Sequence, residues 1–228
     1  MNGLLEVATV LEGDGHWTIG YEIDALACGR VIEAYDICTP GTPAVSDSAV
    51  GFKVDPFALV GAQKFGTRCE PSDAADALTR ALADSTEKLV ANNFWNGDVT
   101  DWVGNPGDMY LTSPSIFTVS AGSDTLASIA AALIAASDNH PEIDPILHLG
   151  VGAALSIPNW ETFEALGIEY SISLGYPSDG IAVTGPVLVR LGSIETLERH
   201  DERNNRNFVS ATRLAAVEFD PCLAVVVS

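Results

Sequence analysis

Side chains that could hold a metal ion crowd into DNHPEIDPILH, where Asp138, His140, Glu142, Asp144 and His148 fall within eleven residues. Carboxylates and imidazoles alternating along an extended segment can present ligands to one side and take a hard divalent cation. Pro141 and Pro145 mark the same stretch as a loop between a helix and a strand, where polar residues are expected without a metal. A metal-dependent hydrolase is therefore the minor reading. The four cysteines, Cys28, Cys38, Cys69 and Cys222, lack the C-x-x-C spacing of a zinc site. Cys28 and Cys38 bracket a strand-like segment and a bridge between them is conceivable, but reduced, partly buried thiols are the expectation for a cytosolic product. No G-x-S-x-G elbow, no P-loop and no G-x-G-x-x-G before a helix is present. His16 beside Trp17 and His200 beside Asp201 are pairings too common to mark an acid/base site. The sequence points away from an enzyme, and no catalytic residue, metal ligand or cofactor is assigned.

Composition narrows the classes further. At 228 residues the chain can bury a sizeable core in one or two domains without staples. Its 31 acids against 11 bases leave a net charge of -20, which disfavours nucleic-acid binding through a basic surface. A surface that must lie beside DNA without adhering would gain from that balance; solubility alone would also explain it. No apolar run reaches the length of a membrane span, and the first residues lack a signal peptide's basic start and apolar core.

The frame is organised around residues 70–97, EPSDAADALTRALADSTEKLVANNFWNG, whose pattern predicts one long helix over residues 72–95. Pro71 and Ser72 open it, Asp73 and Asp76 sit where the helix dipole favours acids, and Asn96-Gly97 tolerates positive φ at the exit. Leu78, Leu82, Ser85 and Leu89 share one narrow face, extended by Ala74 and Ala81. On the other face Asp76 precedes Arg80 by four residues and Asp84 precedes Lys88 by four, the order that favours helix ion pairs. About 23 helical residues at about 1.5 Å each make a rod of about 35 Å, suited to a spine lying on a sheet.

Before the spine, LEVATVLE and HWTIGYEI flank Gly13-Asp14-Gly15 and predict a β-hairpin; ACGRVIEAYDIC reads as another strand and residues 39–51 as a loop. Residues 52–60 alternate as a strand leading into the spine, with Pro56 implying an edge or irregular position. After the spine a turn-rich stretch leads to a helix starting near Ser123 or Asp124, with Leu126, Ile129, Ala130 and Leu133 on one face. ILHLGVG predicts a central strand, and SIPNWETFEALG a short helix with Trp160, Phe163 and Leu166 inward and Gly167 as its stop. IEYSISLG, GIAVTGPVLVRLG and NFVSATRLAAVEF predict strands, the last with Val209, Ala211, Ala215, Val217 and Phe219 on one face; CLAVVV closes the chain as a buried strand.

Taken in order, these pieces resemble the major capsid proteins of tailed bacteriophages, the Hong Kong-type capsid fold that encapsulin shells share. FKVDPFALVGAQKFGTRCEPSDAADALTRALADSTEKLVANNFWNGD is similar to that family's sheet strand and spine helix. LASIAAALIAASDNHPEIDPILHLGVGAALSI resembles its axial helix and central strand, and ERHDERNNRNFVSATRLAAVEFDPCLAVVVS its ending. GHWTIGYEIDALACGRVIEAYDICTPG resembles a subgroup from phages of actinobacterial hosts.

The resemblance implies an α+β fold with an N-terminal arm and extended loop over residues 1–51. A peripheral domain would take residues 52–122 with 192–219, and an axial domain residues 123–191 with 220–228. It implies many copies assembling as hexamers and pentamers into an icosahedral shell around double-stranded DNA, made in the host cytoplasm and located in the virion. Scaffolding, portal and decoration proteins are the further partners it implies, with no membrane and no specific binding of the packaged DNA. Subunit contacts are expected at the loop between Cys28 and Gly51, at Asp76, Arg80, Asp84 and Lys88 on the spine, and at Arg199, Arg203 and Arg206 in the run ETLERHDERNNR. Some relatives weld subunits by an isopeptide bond from a loop lysine; residues 1–52 hold no lysine, so no such weld is expected. The early first hairpin implies a separate scaffold, or cleavage ahead of it. An encapsulin-like nanocompartment shell is the alternative of the same fold.

Overall fold

The computed structural model describes residues 2–19, 21–25, 50–66, 71, 73–97, 109–140 and 144–228. Its longest helix is α2, Ala74–Asn96, in the chain-order sequence α1 (Leu4–Val7), α2, α3 (Thr125–Asn139), α4 (Val151–Leu155) and α5 (Glu161–Ala165). Asp73 stands at the N-cap position of α2 and Gly97, with φ of 65°, ends it in the left-handed conformation foreseen for the Asn96-Gly97 exit.

The strands form three sheets. In chain order they are β1 (Thr9–Glu12), β2 (Tyr21–Ala25), β3 (Val50–Val54), β4 (Phe57–Gly66), β5 (Phe117–Val119), β6 (Ile146–Gly150), β7 (Glu169–Ser173), β8 (Ile181–Thr184), β9 (Val187–Asp201), β10 (Arg206–Phe219) and β11 (Val225–Val227). A four-stranded sheet runs β1-β9-β10-β4, a five-stranded sheet β5-β11-β8-β6-β7, and β2 pairs with β3 alone.

Strand β10 carries the expected inward set, since Val209, Ala211, Ala215, Val217 and Phe219 are all buried. Ala211, Ala215, Val217 and Phe219, with Phe57 and Leu59 of β4, meet Leu82, Val90 and Phe94 of α2 in one apolar cluster. Fully burying a side chain such as Phe94 contributes about 2–3 kcal/mol. A second cluster fills the five-stranded sheet and its helices, with Ile129, Leu147, Leu149, Phe163 and Val183 at its centre. Strand β6 is buried along its whole length between β7 and β8, as its uninterrupted apolar run requires.

Several expectations are corrected. The hairpin about Gly13-Asp14-Gly15 does not form: β1 pairs in parallel with β9, and β2 pairs with β3. Asp14 explains the departure, because its carboxylate accepts from the Ser193 backbone N–H and hydroxyl and ties the turn to β9. Residues 52–60 are not one strand; the chain breaks at Asp55-Pro56, and β3 and β4 enter different sheets. On α2, Ala74 and Leu82 are buried as expected, but Ala81, Ser85 and Leu89 are exposed, and Thr86, Val90, Ala91, Phe94 and Trp95 are buried instead. The buried stripe winds around the helix because the helix has two partners, β4 and β10 near its start and the turn after β7 near its end. On α3, Ile129 is buried but Leu126 and Ala130 are exposed; on α5, Phe163 is inward but Leu166 is 68% exposed, just ahead of the expected stop at Gly167, whose φ is 68°. Residues 26–49, with the ACGRVIEAYDIC strand and the expected loop up to residue 49, lie outside the described residues, while Val50 and Gly51 of that loop belong to β3.

Candidate assembly surfaces

On α2, Asp76, Arg80, Asp84 and Lys88 are all exposed, along the side of the helix away from the sheet. No ion pair joins Asp76 to Arg80 or Asp84 to Lys88, which corrects the expected pairing. Exposed pairs gain too little to fix two long side chains in one geometry. The residue the helix does commit is Glu87, which the sequence did not single out. Its two carboxylate oxygens accept from the backbone N–H groups of Leu4, at 2.6 Å, and Leu5, at 2.9 Å. These are unsatisfied donors of α1, so the spine caps a helix from which it is separated by the whole N-terminal arm.

Arg199, Arg203 and Arg206 lie where β9 turns into β10, at the exposed far end of the four-stranded sheet. Asp201 builds the turn: its carboxylate accepts from the backbone N–H groups of Arg203 and Asn204 and from Asn204 Nδ2 at 2.7 Å. The Asn204 side-chain bond leads in holding the Asp201 carboxyl below its ordinary range. Asn205, with φ of 49°, supplies the left-handed residue that closes the turn. On the facing rung, His200 Nδ1 and Asn207 Oδ1 lie 2.6 Å apart. A cavity of about 470 Å³ opens here, bounded by Lys64 at the end of β4 and by Arg199, Arg206 and Phe208.

The β2–β3 hairpin is tied to this sheet by a second polar group. Tyr21 donates to Glu218 at 2.6 Å and accepts from Arg190 Nε at 2.9 Å, with the guanidinium 5.4 Å from the ring centre. Burial and the bond to Glu218 push the Tyr21 hydroxyl up to about 12.

The metal-like run is not gathered into a site. Among the described residues no group of three His, Cys, Asp or Glu could hold a metal, and Glu142 lies outside them. His148 is instead fully buried in β6, where its Nε2 lies 2.8 Å from Thr184 Oγ1 and its Nδ1 3.3 Å from the Tyr176 hydroxyl. Thr184 donates to the Gly185 carbonyl, so it must accept from Nε2–H; Nδ1 then accepts from Tyr176, whose oxygen accepts from Ser171. One ordered chain satisfies every member. Burial lowers the His148 pKa to about 3, and its ring meets Phe94 of the spine edge-on at 5.1 Å.

Cys222 is disulfide-bonded, not a reduced thiol as expected. Cys28, Cys38 and Cys69 lie outside the described residues, and the Cys28–Cys38 pairing with them. Among the described residues no helix is long and apolar enough to cross a membrane.

One long helix packed on a hairpin-bearing sheet at its start and on a second, five-stranded sheet at its end defines an α+β fold of two sheets joined by a spine. No protein-family model matches the chain, and no curated protein matches it. Solved structures do. The virus-like particle from Pyrococcus furiosus aligns over 100% of this chain and 92% of its own at 13% identity, with a TM-score of 0.65. The capsid of the native GTA particle aligns over 99% and 89% at 13% identity and a TM-score of 0.62. A chain of Mycobacterium phage Ogopogo aligns over 100% and 92% at 12% identity and a TM-score of 0.57. The fold is the Hong Kong-type capsid fold of tailed bacteriophages, over the whole chain.

Proposed function

We propose that the chain is a major capsid protein, many copies of which assemble as pentamers and hexamers into an icosahedral shell around double-stranded DNA. The observation that carries this is the match of the chain to capsid and virus-like-particle structures over 99–100% of its residues and 89–92% of theirs. Residues 52–122 with 192–219 are the peripheral domain, centred on α2, β4 and β10, and residues 123–191 with 220–228 the axial domain, centred on α3 and the five-stranded sheet; β1 of the 1–51 arm joins the first sheet, β5 joins the second and β9 runs across the boundary. Asp76, Arg80, Asp84, Lys88, Arg199, Arg203 and Arg206 serve subunit contacts and not catalysis; their exposure in the single chain supports this. The net charge of -20 lets the wall stand beside packaged DNA without gripping it. Scaffolding and portal proteins, and decoration proteins where the shell carries them, complete the partners of a virion component assembled in host cytoplasm.

Light scattering and negative-stain microscopy of the purified protein, with and without a candidate scaffold, test the proposal. Closed shells or rings of five and six are expected; a stable monomer or dimer that ignores the scaffold would sink it. An encapsulin-like compartment differs in cargo, so recovery of an enzyme in place of nucleic acid from native shells would select that alternative.

A further inference from the structure

In the register of β4, β10 and β9, Lys64 pairs with Phe208 and Phe208 with Arg199, while Arg206 pairs with Gly66 and with Asp201. Paired residues share a face of a sheet and alternate residues along a strand return to it, so Lys64, Arg199 and Arg206 stand on one face around Phe208. That face is the one turned away from α2, because Val209, the next residue along, is buried beneath the helix side. Gly66 leaves the position opposite Arg206 without a side chain, and a Cβ there would meet nothing within 4 Å. The result is a cavity of about 470 Å³ whose walls include three cations, the Phe208 ring and the carboxylate of Asp201.

Among the described residues none of the three cations forms an ion pair. Asp201, which shares the lining, gives its oxygens to the turn, and Glu195 lies farther along the same face, so cations outnumber carboxylates at the cavity. Three cations against one carboxylate in the lining leave a surplus of positive charge, and an acidic partner lowers the repulsion among them. Each other copy in an assembly offers 31 acids against 11 bases. A nucleic-acid backbone would be repelled by the rest of such a surface. No lysine or arginine occurs between Lys88 and Arg190, so the middle of the chain offers only acids to a cationic socket.

We propose that this cavity is the socket of a subunit contact, in which Lys64, Arg199 and Arg206 receive carboxylates from a second copy of this chain while Phe208 packs against their aliphatic stems. The inference rests on the shell reading and adds to it the partner chemistry of one surface. A basic socket meeting an acidic surface elsewhere is a contact between unlike patches, the kind that repeats around a ring until it closes.

The test co-assembles isotopically light and heavy copies and treats the particles with a zero-length carbodiimide, which joins an amine to a carboxylate in direct contact. Lys64 is the only lysine of the socket, and digestion with mass spectrometry should find it joined to an acidic peptide of mixed isotope origin. Arg199→Glu with Arg206→Glu should lower particle yield at least tenfold while leaving the circular dichroism and melting temperature of the unassembled chain unchanged; Arg199→Lys with Arg206→Lys should restore most of the yield. Shells that form normally without the Lys64 cross-link, and with the charge-reversed variant, overturn the socket and leave the shell reading standing. Particles intact in the reversed variant but stripped of nucleic acid overturn it in favour of a phosphate-binding site. A wild-type chain that never self-associates overturns both.

Discussion

His148 is a basic side chain kept without charge, and its stability consequence has a definite sign. The unfolded chain takes up a proton near the ordinary value of 6.5, whereas the folded protein resists until about 3. Between those values the unfolded state binds more protons, so stability falls as pH falls through the window, by up to about 1.4 kcal/mol per pH unit from this group. Urea unfolding at several pH values should show that slope, and His148→Gln, which keeps a donor and an acceptor in the chain of hydrogen bonds, should flatten it. Equal slopes in the two proteins would mean that His148 accepts a proton while folded. Glu87 makes the complementary case of a charge that satisfies others. Glu87→Ala removes both acceptors from the Leu4 and Leu5 amides and should cost about 2 kcal/mol. Hydrogen exchange at those two amides should rise well beyond the global effect, and unchanged exchange would show that water replaces the carboxylate without loss.

Among the elements, α2 decides the architecture because it is shared. Its start packs on β4, where a Cβ on Gly61 would already touch Leu78, and its end receives the turn after β7. Gly175 in that turn has no room for a side chain, since a Cβ would collide with the Lys88 carbonyl oxygen and lie 2.7 Å from the Asn92 nitrogen. Gly175→Ala should therefore destabilise by about 2–3 kcal/mol, measured by chemical denaturation, while Gly66→Ala, which meets open space, should stay within about 0.5 kcal/mol. Equal effects would mean that the spine does not clamp the second sheet. The same sharing explains which elements could be read from the residues. Strand β10 was legible throughout because one face of it meets one core. The exits at Gly97 and Gly167 were legible because positive φ leaves a local mark. The inward face of α2 was half legible, since a single stripe was assumed for a helix with two partners. Strand β1 was misread because its partner, β9, lies far along the chain and no local pattern announces a parallel pairing. Among the candidate surface residues the charge run marked Arg199 and Arg206, but Lys64 and Phe208 join them only through strand register.

For the whole molecule, charge is unevenly placed. Every lysine and arginine lies at or before Lys88 or at or after Arg190, so the five-stranded sheet and its helices carry acids without a compensating base. Contacts between two such regions cannot rest on salt bridges, and the proposed shell would hold them together through apolar contact, with ionic contact reserved for surfaces that own a cation. Lysine is scarcer still, at Lys53, Lys64 and Lys88, with none in residues 1–52. An isopeptide bond needs an amine on one subunit, and the segment proposed to reach over a neighbour has none in a side chain. Particles boiled in denaturant under reducing conditions should therefore run as a single monomer band; a ladder of higher bands would place a covalent weld at one of the three remaining lysines. Running the same particles without reductant separates the role of Cys222, which is disulfide-bonded. If that bond is internal to one chain, the monomer band survives without reductant as well, and the wall is held by non-covalent contacts alone.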